Sequence, residues 1–327
     1  MNQKPIIILI LLCLFTINVS AQKKKAKSTR PTAAEKNASN IIGYTNTIID
    51  LSNAYSKSYK HYEHMIFMAE SEMRSVKSKN NRFPTKGLSN SDTSAVDKSL
   101  YANYAAKLKL APATFTGKAD ILAAVKNADA SVQNLYKYSR ALNRYFVDKE
   151  YEKDSEGYPG YDALVDSINA NVARTRRAWD MAARVASKAG SEAENVILKR
   201  SPMGEFIIPM KADLALMREL VEDVFSDDEN IDWNAISERS VAMKTAFDKV
   251  KDGQGKNMNK ITSHAKKSEF TGFYNSGIRF AEGVELLAKV MNDAKSSDDY
   301  KERTFKEVSS RYSDMIKSYN YFATEQY

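Results

Sequence analysis

The chain has 327 residues, with 49 Lys and Arg against 41 Asp and Glu, a formal net charge of +8. Its 43% hydrophobic content, 12 glycines and 7 prolines exclude collagen-like and low-complexity classes, and its length suffices for one large core or two packed subdomains. A single cysteine excludes a disulfide framework and any Cys-rich zinc or iron–sulfur site, and three histidines leave little room for a His-rich metal centre.

Lys4 precedes an apolar run from Ile6 to Phe15 that continues to Val19-Ser20-Ala21. A basic start, a short apolar stretch and small residues at −3 and −1 form the pattern of a secretory signal peptide over residues 1–21, cleaved after Ala21. An uncleaved anchor is the competing reading, but a spanning helix needs about 20 apolar residues. Cys13 follows Ile10-Leu11-Leu12 rather than a small residue, so it is expected to leave with the leader and not to carry a lipid.

Residues 22–35 read as a basic mobile tail, with Lys23, Lys24, Lys25, Lys27 and Arg30 ahead of Pro31-Thr32. The same block can make weak contact with an anionic envelope surface through Lys23, Lys24 and Lys25, at about 1 kcal/mol per basic residue. No basic groove interleaved with aromatics is present, and an exported chain is not expected to bind nucleic acid.

From residue 36 to 327 the apolar period of 3.5–3.6 recurs in nearly every segment and strand signals are scarce, which predicts an all-α domain. Ile41, Tyr44, Ile48, Leu51, Tyr55, Tyr62, Met65 and Ala69 form one stripe of a helix of roughly 35–40 residues. Asn80 to Pro84 with Gly87 ends it, and Ser94 with Asp97 resembles a capping box for a short helix to about Leu110. Between Gly117 and Tyr151, Val125, Ala128, Val132, Leu135, Leu142 and Phe146 hold core positions, with Ser139 as the one polar member. A Gly-Tyr-Pro-Gly break (157–160) follows, and Val165, Ile168, Val172, Thr175, Trp179, Ala182 and Ala186 repeat the spacing. Two such stripes around a short break predict an antiparallel helical hairpin.

A subdomain boundary is expected near Gly190 to Pro202. Beyond it, stripes start at Ile207, Ile236, Phe280 and Phe305, separated by loops that include a Gly-, Asn- and Lys-rich stretch at 252–260. Pro209 is tolerable only near a first turn, and Asp299 with Glu302 suggests a further capping pair. The expected fold is an elongated all-α bundle of about seven or eight helices with long antiparallel hairpins.

The stretch Tyr145-Phe146-Val147-Asp148-Lys149-Glu150-Tyr151-Glu152-Lys153-Asp154, with its Gly-containing break and following helix, resembles the central hairpin of the YiiG-like family. Asn40-Ile41-Ile42-Gly43-Tyr44, continued by Leu51-Ser52-Asn53, resembles that family's first helix. The resemblance covers about 150 residues and implies a helical bacterial envelope protein, a class with no established activity and with many lipoproteins. The chain departs from the lipoprotein pattern in lacking a usable lipid-attachment cysteine.

His61 and His64 stand three apart with Glu63 between them, a spacing at which two side chains can reach one metal ion. They fit neither His-Glu-x-x-His nor the Gly-x-His-x-x-Glu motif of imelysin-like proteins, and a third ligand would have to come from another helix. Surface histidines are the simpler reading. Acids at 148, 150, 152, 154 and 156 alternate before Gly157 and, counted from Glu152, mimic the first half of a calcium loop, but Ala163 stands where the bidentate Glu belongs. A solvated helix end accounts for the same acids.

No Gly-x-Ser-x-Gly elbow, Ser-x-x-Lys set with its partner motifs or phosphate loop is present, and the glycines and lysine of 252–257 are wrongly spaced for the last. No cofactor is expected from these patterns. Tyrosines are abundant, and Tyr158 and Tyr161 at the hairpin break suit either the wet edge of a core or a contact patch for a protein or glycan. Glu152, Asp154, Tyr158 and Tyr161 are therefore the candidate binding residues, and His61 and His64 the candidate metal residues. The expected function is that of an exported, non-enzymatic binding protein, periplasmic or extracellular, with an envelope protein or glycan as partner. The alternatives are a metal-linked envelope protein using His61 and His64, and a hydrolase acting on an envelope polymer.

Overall fold

The computed structural model describes residues 31–78, 88, 96–226, 230–253, 255–261 and 263–324. The signal peptide, Lys23 to Lys25, the Asn80–Gly87 break and Ser94 lie outside the described residues. Among the described residues there are eight α-helices and no strand. They are α1 (Ala33–Lys77), α2 (Lys98–Leu110), α3 (Lys118–Val147), α4 (Pro159–Leu198), α5 (Gly204–Val224), α6 (Trp233–Val250), α7 (His264–Asn292) and α8 (Asp298–Thr324). None is long and apolar enough to cross a membrane.

Helix α1 is longer than its apolar stripe predicts. Thr32 and Glu35 form a reciprocal capping box, with the Glu35 carboxylate accepting from the Thr32 N–H at 2.6 Å and the Thr32 hydroxyl accepting from the Glu35 N–H at 3.3 Å. The basic segment therefore gives way to helix at Ala33, not at residue 36. In α2, Asp97 is itself the cap, accepting from the Ser99 N–H at 2.8 Å. In α8 the cap falls on Ser297 rather than Asp299, since the Ser297 hydroxyl accepts from the Tyr300 N–H.

The chain divides into two compact units between Glu194 and Asn195, within α4 and within the stretch that carries the expected boundary signals. In the first unit the stripes of α1, α3 and α4 meet in two adjoining cores. Tyr44, Ile48, Leu51 and Tyr55 pack with Ile121, Val125, Val132, Trp179 and Ala182 in one. Met65, Ala69 and Met73 pack with Leu142, Phe146, Tyr161 and Ile168 in the other. The Tyr55 ring stacks on Trp179 at 4.8 Å, and the Arg176 guanidinium lies 5.2 Å over the Tyr59 ring, so α1 and α4 run antiparallel. Helix α4 continues through Gly190 rather than breaking there. A Cβ at 190 would sit 2.6 Å from the Thr45 Oγ1, so the glycine serves the close approach of α1.

In the second unit α6, α7 and α8 pack in sequence order, and α5 lies against α6 and α8. Phe270, Phe273 and Phe280 of α7 face Phe322, Tyr319 and Tyr312 of α8, each step forward along α7 matched by an equal step back along α8. Phe247 of α6 meets Tyr274 edge-on at 5.6 Å. Burying such rings removes large apolar areas from water, and their tilted contacts hold helix register.

Candidate functional site

The end of the α3–α4 hairpin gathers the residues that the sequence singles out. Helix α3 closes at Val147 with Asp148 as its cap, and Lys149 then enters the left-handed region at φ 53° and ψ 38°. Glu150–Glu152 make one tight helical turn, and Gly157 and Tyr158 also take positive φ, 93° and 61°. A single left-handed non-glycine residue costs roughly 1–2 kcal/mol, so two of them within ten residues show that surrounding contacts fix this turn.

Asp154 is the centre of those contacts. Its carboxylate accepts from the Tyr145 hydroxyl at 2.7 Å, from the Ser155 N–H at 2.9 Å and from the Gly160 N–H at 3.0 Å. It therefore ties the end of α3 to the first turn of α4, where unpaired N–H groups favour an anion. The Tyr145 hydroxyl, with backbone N–H groups, holds this carboxyl below the ordinary aspartate value. Gly160 leaves room for this contact, because a Cβ would meet the Asp154 Oδ2 at 2.8 Å and the carboxylate would have to shift. Tyr161 is buried against Tyr145 and Phe146, at ring separations of 6.2 and 6.1 Å.

The four candidate binding residues thus divide. Asp154 and Tyr161 are spent on the architecture of the turn. Glu152 is exposed, with the Lys149 ammonium 3.7 Å away, and Tyr158 is half-buried with the Lys77 ammonium 5.7 Å over its ring. Asp148, Glu150, Glu152, Glu156 and Asp162 are exposed around them, against Lys149 and Lys153. The outer face of the hairpin end is consequently acidic and carries a tyrosine, on a chain whose net charge is positive. Glu152 and Glu156 point to no shared ligand with Asp154, whose oxygens are already engaged by Tyr145 and the backbone.

The histidines lie elsewhere on α1. His61 is half-buried with its ring 5.7 Å from that of Tyr62, and His64 is exposed and stacked against Phe67 at 6.4 Å. Among the described residues, no three His, Cys, Asp or Glu side chains come together as a group that could hold a metal ion.

A second polar network has no signal in the sequence. The Tyr55 and Tyr101 hydroxyls are 2.7 Å apart, and Tyr101 donates to the Asp129 Oδ1 at 2.8 Å, linking α1, α2 and α3. Burial pushes the Asp129 carboxyl up, and burial likewise raises both tyrosines well above their ordinary value. Helix α2 buries no residue fully, but Leu100, Tyr101, Tyr104 and Leu108 lie partly buried against the core, and these hydroxyl contacts add to that docking.

No family model, curated protein or solved structure matches this chain.

Proposed function

We propose that the chain is an exported, non-enzymatic binding protein of the bacterial cell envelope, of the kind implied by its resemblance to the YiiG-like family. In this reading it presents the outer face of its α3–α4 hairpin end to an envelope protein or glycan. The observation that carries the reading is Tyr158. A half-exposed aromatic residue is held at φ 61° on a turn that Asp154 fixes, among exposed acids. Strained residues fixed by their surroundings cluster at functional sites, and a pre-set tyrosine offers contact area at little entropic cost. The N-terminal leader pattern supports export.

The test places a photo-crosslinking residue at Tyr158 in the full-length protein and irradiates intact cells of the producing organism. A discrete adduct in the envelope fraction is expected. It should disappear when Asp148→Asn, Glu150→Gln, Glu152→Gln and Glu156→Gln are combined, a variant that leaves Asp154 and Tyr161 to hold the turn. Equal adduct yield from the neutralised variant, or a chain retained in the cytoplasm, removes the reading.

A further inference from the structure

Buried serine and threonine hydroxyls in the first unit follow a rule with two exceptions. Thr45, Thr47, Ser131 and Ser139 are buried, and each donates to the carbonyl three residues earlier, at 3.1, 2.6, 2.6 and 3.0 Å. This back-bonding is how a hydroxyl in a helix satisfies itself without a tertiary partner. Ser52 and Thr175, both at 0% exposure, have no hydrogen-bond partner. The Tyr59 hydroxyl and the Trp179 indole Nε1, each on a side chain 1% exposed, also lack one, as do the Arg176 Nε and the Asn171 Oδ1.

These groups are not scattered. Asn171, Thr175, Arg176 and Trp179 occupy just over two turns of α4, Tyr59 lies on the stretch of α1 that faces them, and Ser52 lies about a turn further along the same seam. The facing register is fixed by the stack of Tyr55 on Trp179 and by the Arg176 guanidinium over the Tyr59 ring. Leaving a buried donor or acceptor unpaired costs more than an ordinary hydrogen bond gains, and native interiors rarely tolerate several together.

We propose that the α1–α4 seam of the first unit is a binding site for ordered internal water, held by Tyr59, Thr175 and Trp179. The donor and acceptor inventory selects water. The indole and the Arg176 Nε only donate, the Asn171 Oδ1 only accepts, and the hydroxyls do both. Waters, each with two donors and two acceptors, can meet that mixed set along the two turns of seam, and a buried water typically takes about three such partners. Bridging solvent along the seam thus adds exchangeable bonds to the apolar packing that joins α1 and α4.

The test uses the full chain with 15N-labelled tryptophan, Trp233→Phe identifying the Trp179 indole signal. A nuclear Overhauser contact between the Trp179 indole proton and long-lived water is expected, and should be lost in Thr175→Val. Thr175→Val and Tyr59→Phe preserve shape, so a bridging water predicts that each lowers the melting temperature by about 2–4 °C. Their effects together should fall short of the sum. Thr245→Val, at an exposed site of α6, controls for helix propensity. Should Thr175→Val fail to fold, Tyr59→Phe, which removes a single oxygen, carries the comparison. A melting temperature unchanged or raised in the seam variants describes a dry seam and overturns the proposal, as does an indole proton without water contact. Extra mass retained in native mass spectrometry and lost in Tyr59→Phe would replace water with a larger ligand and overturn it equally.

Discussion

The Lys256 ammonium donates to the Glu205 backbone carbonyl at 2.9 Å, and that carbonyl is the one that Pro209 leaves without a helical donor. Pro209 lies in the second turn of α5, beyond the position where a helix accepts proline freely. The loop between α6 and α7 supplies the missing donor, and Lys260 from the same loop pairs with the Glu205 Oε2 at 2.8 Å. The glycine- and lysine-rich stretch at 252–260 therefore acts as a clamp on α5 rather than as a phosphate loop. Lys256→Met is expected to destabilise the protein by about 1–2 kcal/mol, because it orphans a carbonyl that had a charged donor. In a Pro209→Ala background, residue 209 has its own N–H for the Glu205 carbonyl, so the same change should cost less. Urea denaturation of the four proteins of this cycle measures the difference; equal costs in both backgrounds would show that Lys256 acts elsewhere.

Lys149 gives a prediction of opposite sign. Its left-handed backbone carries the strain cost, while its side chain contributes only an exposed ion pair to Glu152, a contact of little value in water. Lys149→Gly should raise stability by about 0.5–1 kcal/mol, the relief of strain being partly offset by the freedom glycine has in the unfolded chain. A thermal melt decides it. A lower melting temperature would mean that the lysine side chain stabilises the turn by more than its ion pair.

Asp154 and Asp213 give the protein opposite pH dependences. The Asp154 carboxyl is held below its unfolded value, so its stabilisation is present above about pH 4 and is lost as pH falls through the folded value. The Asp213 carboxyl is pushed up by burial, against the Tyr274 hydroxyl that donates to it at 3.0 Å and the nearby Lys256 charge. Its ionised form is disfavoured in the fold, so stability is greatest where it is protonated and declines as pH rises through its folded value. Asp154→Asn should flatten the acid limb of a stability–pH curve, and Asp213→Asn should flatten the decline toward neutral pH. Urea midpoints between about pH 3 and pH 7 measure both; a parallel shift of the whole curve in either variant contradicts the assignment.

The apolar stripes were legible because burial repeats them at the helical period. The α3 and α5 stripes, Val125 to Phe146 and Ile207 to Val224, are buried throughout. Tyr59 escapes the α1 stripe because it lies one residue to the side of it, as do the buried Thr45 and Ser52. One-stripe reasoning misses a helix whose buried face is wider than a single stripe. The hairpin end was legible as a place but not as a division of labour. Alternating acids before a glycine mark a turn, yet nothing in their spacing separates Asp154, which holds the chain, from Glu152, which faces solvent. That separation rests on the Tyr145 hydroxyl, which the fold brings to Asp154. Likewise Gly190 reads as a helix breaker until the partner helix is known.

Gly190 yields the last prediction. A methyl group there would meet the Thr45 Oγ1 at 2.6 Å and the Thr45 Cβ at 3.4 Å, and Thr45 is buried with its hydroxyl bonded to the Ile42 carbonyl. Helix propensity alone would make Gly190→Ala stabilising by about 0.5–1 kcal/mol. Overpacking opposes it and is expected to win, with a net destabilisation of about 1–2 kcal/mol as α1 and α4 are forced apart. Thr45→Ala removes the oxygen and leaves only an ordinary contact, so the Gly190→Ala, Thr45→Ala double variant should recover stability and reach or exceed that of Thr45→Ala alone. Melting temperatures of the two single variants, the double variant and the parent supply the coupling energy. Additive effects would mean that the helices separate at this level without strain, and that the glycine is present for another reason.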